Sequence, residues 1–422
     1  MMSIQRILVI GTGAMGSGAA ALFAAAGFST TLMGRTREKA QAGATRAEKL
    51  AKRALTLDLA TFDELAQLAG EADLVFESIA EDLAVKLSVF EELDLVRGPD
   101  TIVSTGTSGL SVAQLCAARS DAFRSHFLGV HLFNPPTVIR GCELIPQRDT
   151  APAVVAAVRT LLEKLQRVVV ECADTPAFAG NRIGFRLLNE VAQLAEEHGV
   201  AYMDQLVGAH TGRALAPLAT IDLVGWDVHK AIVDNLWFNT ADEARELFAL
   251  PAYMQRGIDA GHMGRKTRDK GGFFRIDGNV LDPRSFAYAA PGTDSVPPLV
   301  EQMKAALRTG AHPGALDALI RATCKEAMLL RQIVLGYISY ALCRVGEVVA
   351  HPRDVDRIMG FGFNWAPPSA LVDAIGPART AELLAANNFK VPACVADAAS
   401  SGSMLLDDPA IDSSRFFAAA AA

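Results

Sequence analysis

From residue 6 to residue 172, short apolar runs alternate with longer stretches rich in Ala, Leu and Glu. The runs at 6–10, 29–33, 73–77, 101–104, 127–131 and 168–171 read as strands, with 140–145 a further short one. The stretches between them, such as 37–54 and 83–93, carry helical patterning. Apolar strands alternating with helices predict an α/β fold whose doubly wound, mostly parallel sheet is covered on both faces.

After Cys172 the pattern changes. Asp174-Thr175-Pro176 reads as a cap and helix entry. Ile183, Leu187, Leu188, Val191, Leu194 and Ala195 then form an apolar stripe at helical spacing. No alternating strands are read beyond this point, so the remainder is expected to be helical. Within it a pattern recurs. Asp204-Gln205-Leu206-Val207 is matched by Asp356-Arg357-Ile358-Met359, and the segment Ala219 to Gly225 by Ala370 to Gly376. Each match follows a long amphipathic helix, the first beginning near Asn181 and the second near Arg331. Two matches in the same order predict two related all-α domains.

Composition narrows the possibilities. The 422 residues carry 40 Lys+Arg against 47 Asp+Glu, a net charge of −7, and half are hydrophobic. This is globular rather than disordered composition. It lacks the basic excess that nucleic-acid binding needs, so no nucleic-acid partner is expected. Cys116, Cys142, Cys172, Cys324, Cys343 and Cys394 are scattered, without C-x-x-C pairs or zinc spacing. They read as buried thiols in a reducing cytoplasm, and no metal is expected. Residues 7–34 hold no charge, as a signal peptide or membrane helix would. Glycines at 11, 13, 16, 18 and 27 break that run and its apolar residues are mostly Ala. It therefore reads as a cytoplasmic strand–turn–helix with no membrane partner.

The same run carries the first chemistry. Gly11-x-Gly13-x-x-Gly16 follows a strand and opens a helix at Ala14 and Met15. Gly11 permits a tight turn, Gly13 lets backbone approach a pyrophosphate, and Gly16 lets the helix pack closely. The helix N-terminus offers free amides and a partial positive charge to phosphates. This is a Rossmann-like dinucleotide site. The second strand ends in Gly34-Arg35-Thr36-Arg37, without the acid that usually accepts from the ribose of NAD. Arg35 and Arg37 stand where a 2′-phosphate would sit, so NAD or NADP is expected, with NADP tolerated or preferred. The organisation expected is a dinucleotide-binding domain at 1–174, helical domains at 175–290 and 299–400, and a tail at 401–422. Residues 290–298, rich in Pro, Gly and Ser, read as the linker, and the alanines at 418–422 as a frayed end.

In Gly129-Val130-His131-Leu132-Phe133-Asn134-Pro135-Pro136 a histidine ends a strand, at the sheet edge where ligands bind. Glu143 follows inside an apolar strand. A histidine and a carboxylate so placed suggest a base and the group that fixes its tautomer.

With these motifs the sequence resembles the L-3-hydroxyacyl-CoA dehydrogenase family over nearly its whole length. The resemblance rests on the glycine loop, Thr107-Ser108-Gly109-Leu110, the H-x-F-N-P-P motif, Glu143, the segment Asp174 to Arg182, and Gly264-Arg265-Lys266 before Gly272-Phe273-Phe274. It implies an acyl-CoA thioester substrate and a nicotinamide cofactor. His131 would remove the 3-hydroxyl proton while hydride leaves C3, with Glu143 as its partner. Ser108 and Asn181 match positions that hydrogen-bond the substrate oxygen, and Glu81 and Lys86 match a segment near the nicotinamide. The rate of hydroxyacyl oxidation is expected to rise with pH as His131 loses its proton.

The departures are Gly106, where the family usually has Asn, and the missing acid after the second strand. The added length resembles the dehydrogenase part of multifunctional β-oxidation enzymes. No hydratase segment is read, so hydratase activity is not expected. A covalent duplication could supply the face that two subunits share in short members, so a monomer or homodimer is expected. Two other readings are an NADP-dependent dehydrogenase of small free β-hydroxy acids, and an inactive nucleotide-binding relative. The first leaves His131 and Glu143 unexplained, and the second leaves Ser108, His131, Glu143 and Asn181 occurring together for no reason.

Overall fold

The computed structural model of the chain describes residues 3–291, 296–310 and 312–417. Eight strands form one sheet: β1 (Arg6–Ile10), β2 (Ser29–Gly34), β3 (Asp58–Thr61), β4 (Leu74–Glu77), β5 (Ile102–Thr105), β6 (Phe127–Leu132), β7 (Gly141–Pro146) and β8 (Val168–Glu171). Their order is β3-β2-β1-β4-β5-β6-β7-β8, and every pairing is parallel except β6 with β7. Val9, Ile10, Val75, Val103, Leu128 and Leu144 are all buried, which is why the central strands read as continuous apolar runs. The strand order reverses between β1 and β4, and ligands of such sheets bind beside the carboxyl ends at that point.

The strand β3 has no counterpart in the sequence reading. It is a four-residue edge strand, Asp-Leu-Ala-Thr, with only Ala60 buried, and so short a run carries little periodicity. The expectation of an all-helical remainder is also corrected. Val280–Asp282 (β9) and Ala287–Ala289 (β10) form an antiparallel hairpin, again too short to show in the pattern. The entry signal at Asp174-Thr175-Pro176 does not open a helix, because the next one begins at Gly180. The Asp174 carboxylate instead accepts from Ser111 Oγ at 2.9 Å and from the Val112 and Ala113 amides at 2.9 and 2.8 Å. It caps helix Val112–Cys116 from more than sixty residues away.

The chain divides into two compact units. The first runs to Ala179 and takes in two later segments, Glu347–Val349 and Phe361–Phe363. The second begins at Gly180 and holds both helical regions together. Residues 292–295 of the expected linker and the alanines at 418–422 lie outside the described residues.

Within the second unit the repeated motifs occupy matching places. Asp204 accepts from the Leu218 and Ala219 amides at 2.8 and 2.9 Å, capping helix Pro217–Val224. Asp356 accepts from the Ser369 amide at 3.1 Å, at the start of helix Pro368–Ile375. At the ends of those helices Asp222 receives the Phe273 and Phe274 amides, both at 2.9 Å, and Asp373 those of Leu405 and Leu406 at 2.7 and 2.9 Å. Arg213 and Trp365, at equal distances past the aligned aspartates, pair with each other in an antiparallel bridge. Contact between equivalent residues is the signature of a local two-fold axis. The Arg213 guanidinium also lies over the Tyr337 and Trp365 rings, at 5.4 and 4.9 Å.

A buried polar network ties the two helical regions. Asp242 receives Arg182 at 2.8 Å, Tyr340 at 2.8 Å and Arg344 at 2.9 Å. Burial pushes the Asp242 carboxyl up, but the hydrogen bonds from Arg182 and Tyr340 outweigh it and hold the group below its ordinary value.

Candidate active site

The glycine loop leaves β1 at the reversal point. Gly11 has φ +119°, and a Cβ there would stand 2.1 Å from the Ser78 carbonyl oxygen. A Cβ at Gly16 would stand 2.0 Å from the Gly11 oxygen, so turn and helix are packed backbone to backbone. At Gly13 a Cβ would meet nothing within 4 Å. The open space therefore lies over Gly13, at the start of helix Ala14–Ala25, whose first turn has no acidic residue and no side-chain cap. Ala14 and Met15 supply the first helical amides there. Such a cradle suits a pyrophosphate.

At the end of β2 a Cβ on Gly34 would lie 2.8 Å from the Ala40 amide nitrogen, so the ribose-binding acid of NAD sites has no room. Arg35 is exposed. Arg37 does not stand beside it as a second phosphate ligand. Its guanidinium is bound to the Leu59 carbonyl and lies 3.9 Å from Glu64, a consequence of the strand β3 that sequence reading missed.

Beyond β4 lies a charged cluster. Glu77 is fully buried and accepts from Lys86 Nζ at 2.6 Å, Thr105 Oγ1 at 2.6 Å and the Ile79 amide at 2.7 Å. Lys86 is equally buried and also lies 3.4 Å from Glu81. Glu81 in turn accepts from the Thr107 hydroxyl and, at 2.8 Å, the Ser108 amide. Thus Glu81, Lys86 and Ser108 belong to one network, and Glu81 with Lys86 is more than an exposed helix pair. Ser108 is not a helix cap, since Ser111 caps helix Val112–Cys116. A Cβ at Gly106 would lie 3.2 Å from the Phe76 ring, which occupies the space a side chain would need.

His131 and Glu143 are direct register partners across the antiparallel β6–β7 pair. Neighbouring side chains on one face of such a pair lie close enough to bond, and His131 Nδ1 lies 2.6 Å from Glu143 Oε2. His131 is 5 % exposed and Glu143 is fully buried. The other carboxylate oxygen accepts the Ala179 amide at 2.9 Å and lies 3.6 Å from Cys172 Sγ. That amide is aimed by a turn in which Ala177 and Phe178 both adopt left-handed φ, +57° and +55°. Non-glycine residues take this conformation at a cost, and it concentrates at functional sites. The turn also brings the Phe178 ring to 5.9 Å from His131, and the Phe133 ring lies at 4.9 Å. The loop after His131 lies on the glycine-loop helix, because a Cβ at Gly18 would stand 2.8 Å from Pro136.

The first unit therefore holds two of the predicted groups, the Glu81–Lys86–Ser108 network and the His131–Glu143 pair. Asn181 lies in the second unit, buried on the first turn of helix Gly180–His198. Sequence reading missed Glu77 and Thr105, the contacts of Phe133 and Phe178 with His131, and the capping role of Asp174. A hollow of about 600 Å³ lined by Arg6, Asp73 and Asp100 lies at the amino ends of the strands, away from this chemistry. Among the described residues no cluster of three His, Cys, Asp or Glu side chains could hold a metal, and no helix is long and apolar enough to cross a membrane.

Comparison with known proteins covers most of the chain. Residues 6–175 match the NAD-binding domain of 3-hydroxyacyl-CoA dehydrogenase, and residues 178–273 match its C-terminal domain. A probable 3-hydroxyacyl-CoA dehydrogenase of Bacillus subtilis is 30% identical over 417 residues, covering 90% of this chain and 52% of that protein. The chain thus spans about half the length of that relative. A 3-hydroxybutyryl-CoA dehydrogenase of Mycobacterium tuberculosis is 31% identical over 282 residues, covering 63% of this chain and 96% of that protein. The crystal structure of a 3-hydroxybutyryl-CoA dehydrogenase from Escherichia coli superposes with a TM-score of 0.70 over 95% of this chain and 99% of its own, at 23% identity, a likeness of fold. The fold, the matched domains and these relatives agree that the chain belongs to the 3-hydroxyacyl-CoA dehydrogenase family.

Proposed function

We propose that the protein interconverts a (3S)-3-hydroxyacyl-CoA and the corresponding 3-oxoacyl-CoA, with His131 as the acid/base. The observation that carries this reading is the 2.6 Å contact between Glu143 and His131 Nδ1. A carboxylate there holds the proton on Nδ1 and leaves Nε2 to take the proton of the substrate hydroxyl. As His131 gains that proton, the buried charge of Glu143 stabilises the imidazolium, and in the reverse direction the proton returns to the carbonyl oxygen. Ser108 and Asn181 are assigned to that oxygen, where donors stabilise the developing charge. Glu81 and Lys86 are assigned to the nicotinamide end, with Glu77 holding Lys86 in place.

The residues fit a dinucleotide. Gly11 and Gly16 let the turn and helix pack closely, the space over Gly13 is open, and Ala14 and Met15 begin the helix that would face its phosphates. The bound nicotinamide supplies the hydride acceptor or donor. With no acid at Gly34 and Arg35 exposed, we assign tolerance of NADP to Arg35 alone. The acyl-CoA reading agrees with β-oxidation chemistry. The duplicated helical regions, already paired through Arg213 and Trp365, favour a monomer or a loosely held dimer. A tight dimer through the helical unit in light scattering would overturn that reading.

The deciding assay is oxidation of NADH and NADPH with acetoacetyl-CoA beside free acetoacetate. Turnover of the thioester alone supports the proposal. Turnover of the free acid alone assigns a β-hydroxy acid dehydrogenase, and cofactor binding without turnover of either refutes an enzymatic role. A strong NADH preference refutes the role given to Arg35.

A further inference from the structure

The two helical copies keep their aspartates but differ in the stretch just beyond the first of them. After Asp204 the chain makes a short 3₁₀ turn, Ala209–Thr211, and after Asp356 a π-helical turn, Met359–Phe363. Single π turns are rare and occur frequently at functional sites. Thr211 in the first copy stands where Phe363 stands in the second, and His210 where Gly362 stands.

The altered stretch is the one that belongs to the first unit. Gly141, the first residue of β7, meets it backbone to backbone: a Cβ on Gly141 would lie 2.5 Å from the Gly362 nitrogen. Arg140 lies over the Phe361 ring at 5.7 Å. A Cβ on Gly362 would lie 3.0 Å from the Phe133 ring, and the Phe363 ring meets Phe133 edge to face at 5.8 Å. Phe133 in turn meets His131 edge to face at 4.9 Å. Glu143 fixes one ring nitrogen of His131, but a single hydrogen bond leaves the imidazole free to rock about it. The edge-to-face contact with Phe133 favours one orientation of the ring.

We propose that Phe363, from the second helical copy, is a positioning residue for His131, acting through Phe133. The inference rests on His131 being the acid/base. On this account the duplication contributed to the reaction as well as to the fold, because only the second copy carries the aromatic ring and the glycine that lets it approach.

The test uses the full chain, with acetoacetyl-CoA and its preferred reduced cofactor. Phe363→Leu keeps an apolar side chain but removes the ring, and is expected to lower kcat about three- to tenfold, with the cofactor KM unchanged, because a misaligned base slows proton transfer without weakening binding. Phe363→Tyr keeps the ring and is expected to stay within about twofold of wild type. Gly362→Ala, which presses a methyl onto Phe133, is a second route to the same loss. Wild-type kcat in Phe363→Leu or Gly362→Ala, a parallel rise in cofactor KM, or a Tyr variant as impaired as the Leu variant would each overturn the proposal. His131→Gln is assayed alongside. If it is fully active the acid/base reading fails. If it is inactive while Phe363→Leu is fully active, only the positioning role fails.

Discussion

Glu143 in the sheet and Asp222 in the helical unit are both buried acids that accept backbone amides. Glu143 takes the Ala179 amide and a histidine, whereas Asp222 takes the Phe273 and Phe274 amides and the Trp226 indole at 2.8 Å. The difference is the partner's chemistry. An imidazole can exchange a proton with a ligand, and amides and an indole cannot. Asp222 satisfies a loop that would otherwise bury unpaired donors, and its repetition as Asp373 shows the same solution used twice. Burial of a carboxylate does not by itself mark a site, and Glu143 is singled out by its histidine partner.

The largest expected effect breaks the sheet pair. His131→Gln should lower kcat about 10²–10⁴-fold with cofactor affinity and thermal stability nearly unchanged, and Glu143→Gln should lower it in the same direction. Near-full activity in either would place Glu143 with the structural acids. Asp222→Ala should do the converse. Two buried donors and one part-buried donor lose their acceptor, so stability in denaturant should fall by about 3–5 kcal/mol, while the protein that remains folded keeps its kcat. A catalytic defect in that folded fraction would dissolve the contrast.

The buried aspartates of the helical unit also carry a pH dependence of their own. Burial pushes the carboxyls of Asp204 and Asp356 up to about 7 and that of Asp222 up to about 6. A carboxyl raised in the fold binds its proton more tightly there than in the unfolded chain. Its contribution is complete below pH about 4 and is lost as pH rises toward about 7. Relative to Asp204→Asn, the wild type should therefore lose up to about 4 kcal/mol between those limits in urea melts run across pH. Asp356→Asn should behave alike, and a different slope would separate the two copies. Burial holds His229 down at about 3 and His210 at about 4. Their sign is opposite: stability is present above the ordinary histidine range and lost as pH falls through those values. The smallest effect is expected at Asp373, which is only half-buried. Asp373→Ala should cost about 1–2 kcal/mol, and a loss matching that of Asp222→Ala would make the copies energetically equivalent.

Much of the sheet was legible because buried parallel strands are continuous apolar runs. β1 was read with its observed limits, and β2, β4, β5, β6 and β8 to within one residue at either end. β3 was not legible, since an edge strand of four residues borrows its order from β2. Among site residues, the glycine loop and the histidine motif were local patterns and could be read. Glu77 and Thr105 could not, because they are 28 residues apart and meet only where β4 and β5 lie side by side. The cap that Asp174 provides comes from more than sixty residues away, and the nearby Pro176 imitates a helix entry.

The sequence by itself determined the α/β order, the glycine cradle, the candidate base and acid, and the fact of the helical repeat. Each depends on spacing along the chain. The tertiary structure decided which partner each charge takes. It turned Arg37 toward β3 and left Arg35 exposed, buried Lys86 against Glu77, joined the repeats at Arg213 and Trp365, and set the Phe361–Phe363 segment against Phe133. Those outcomes follow from register and close packing between distant segments, and no local pattern records them.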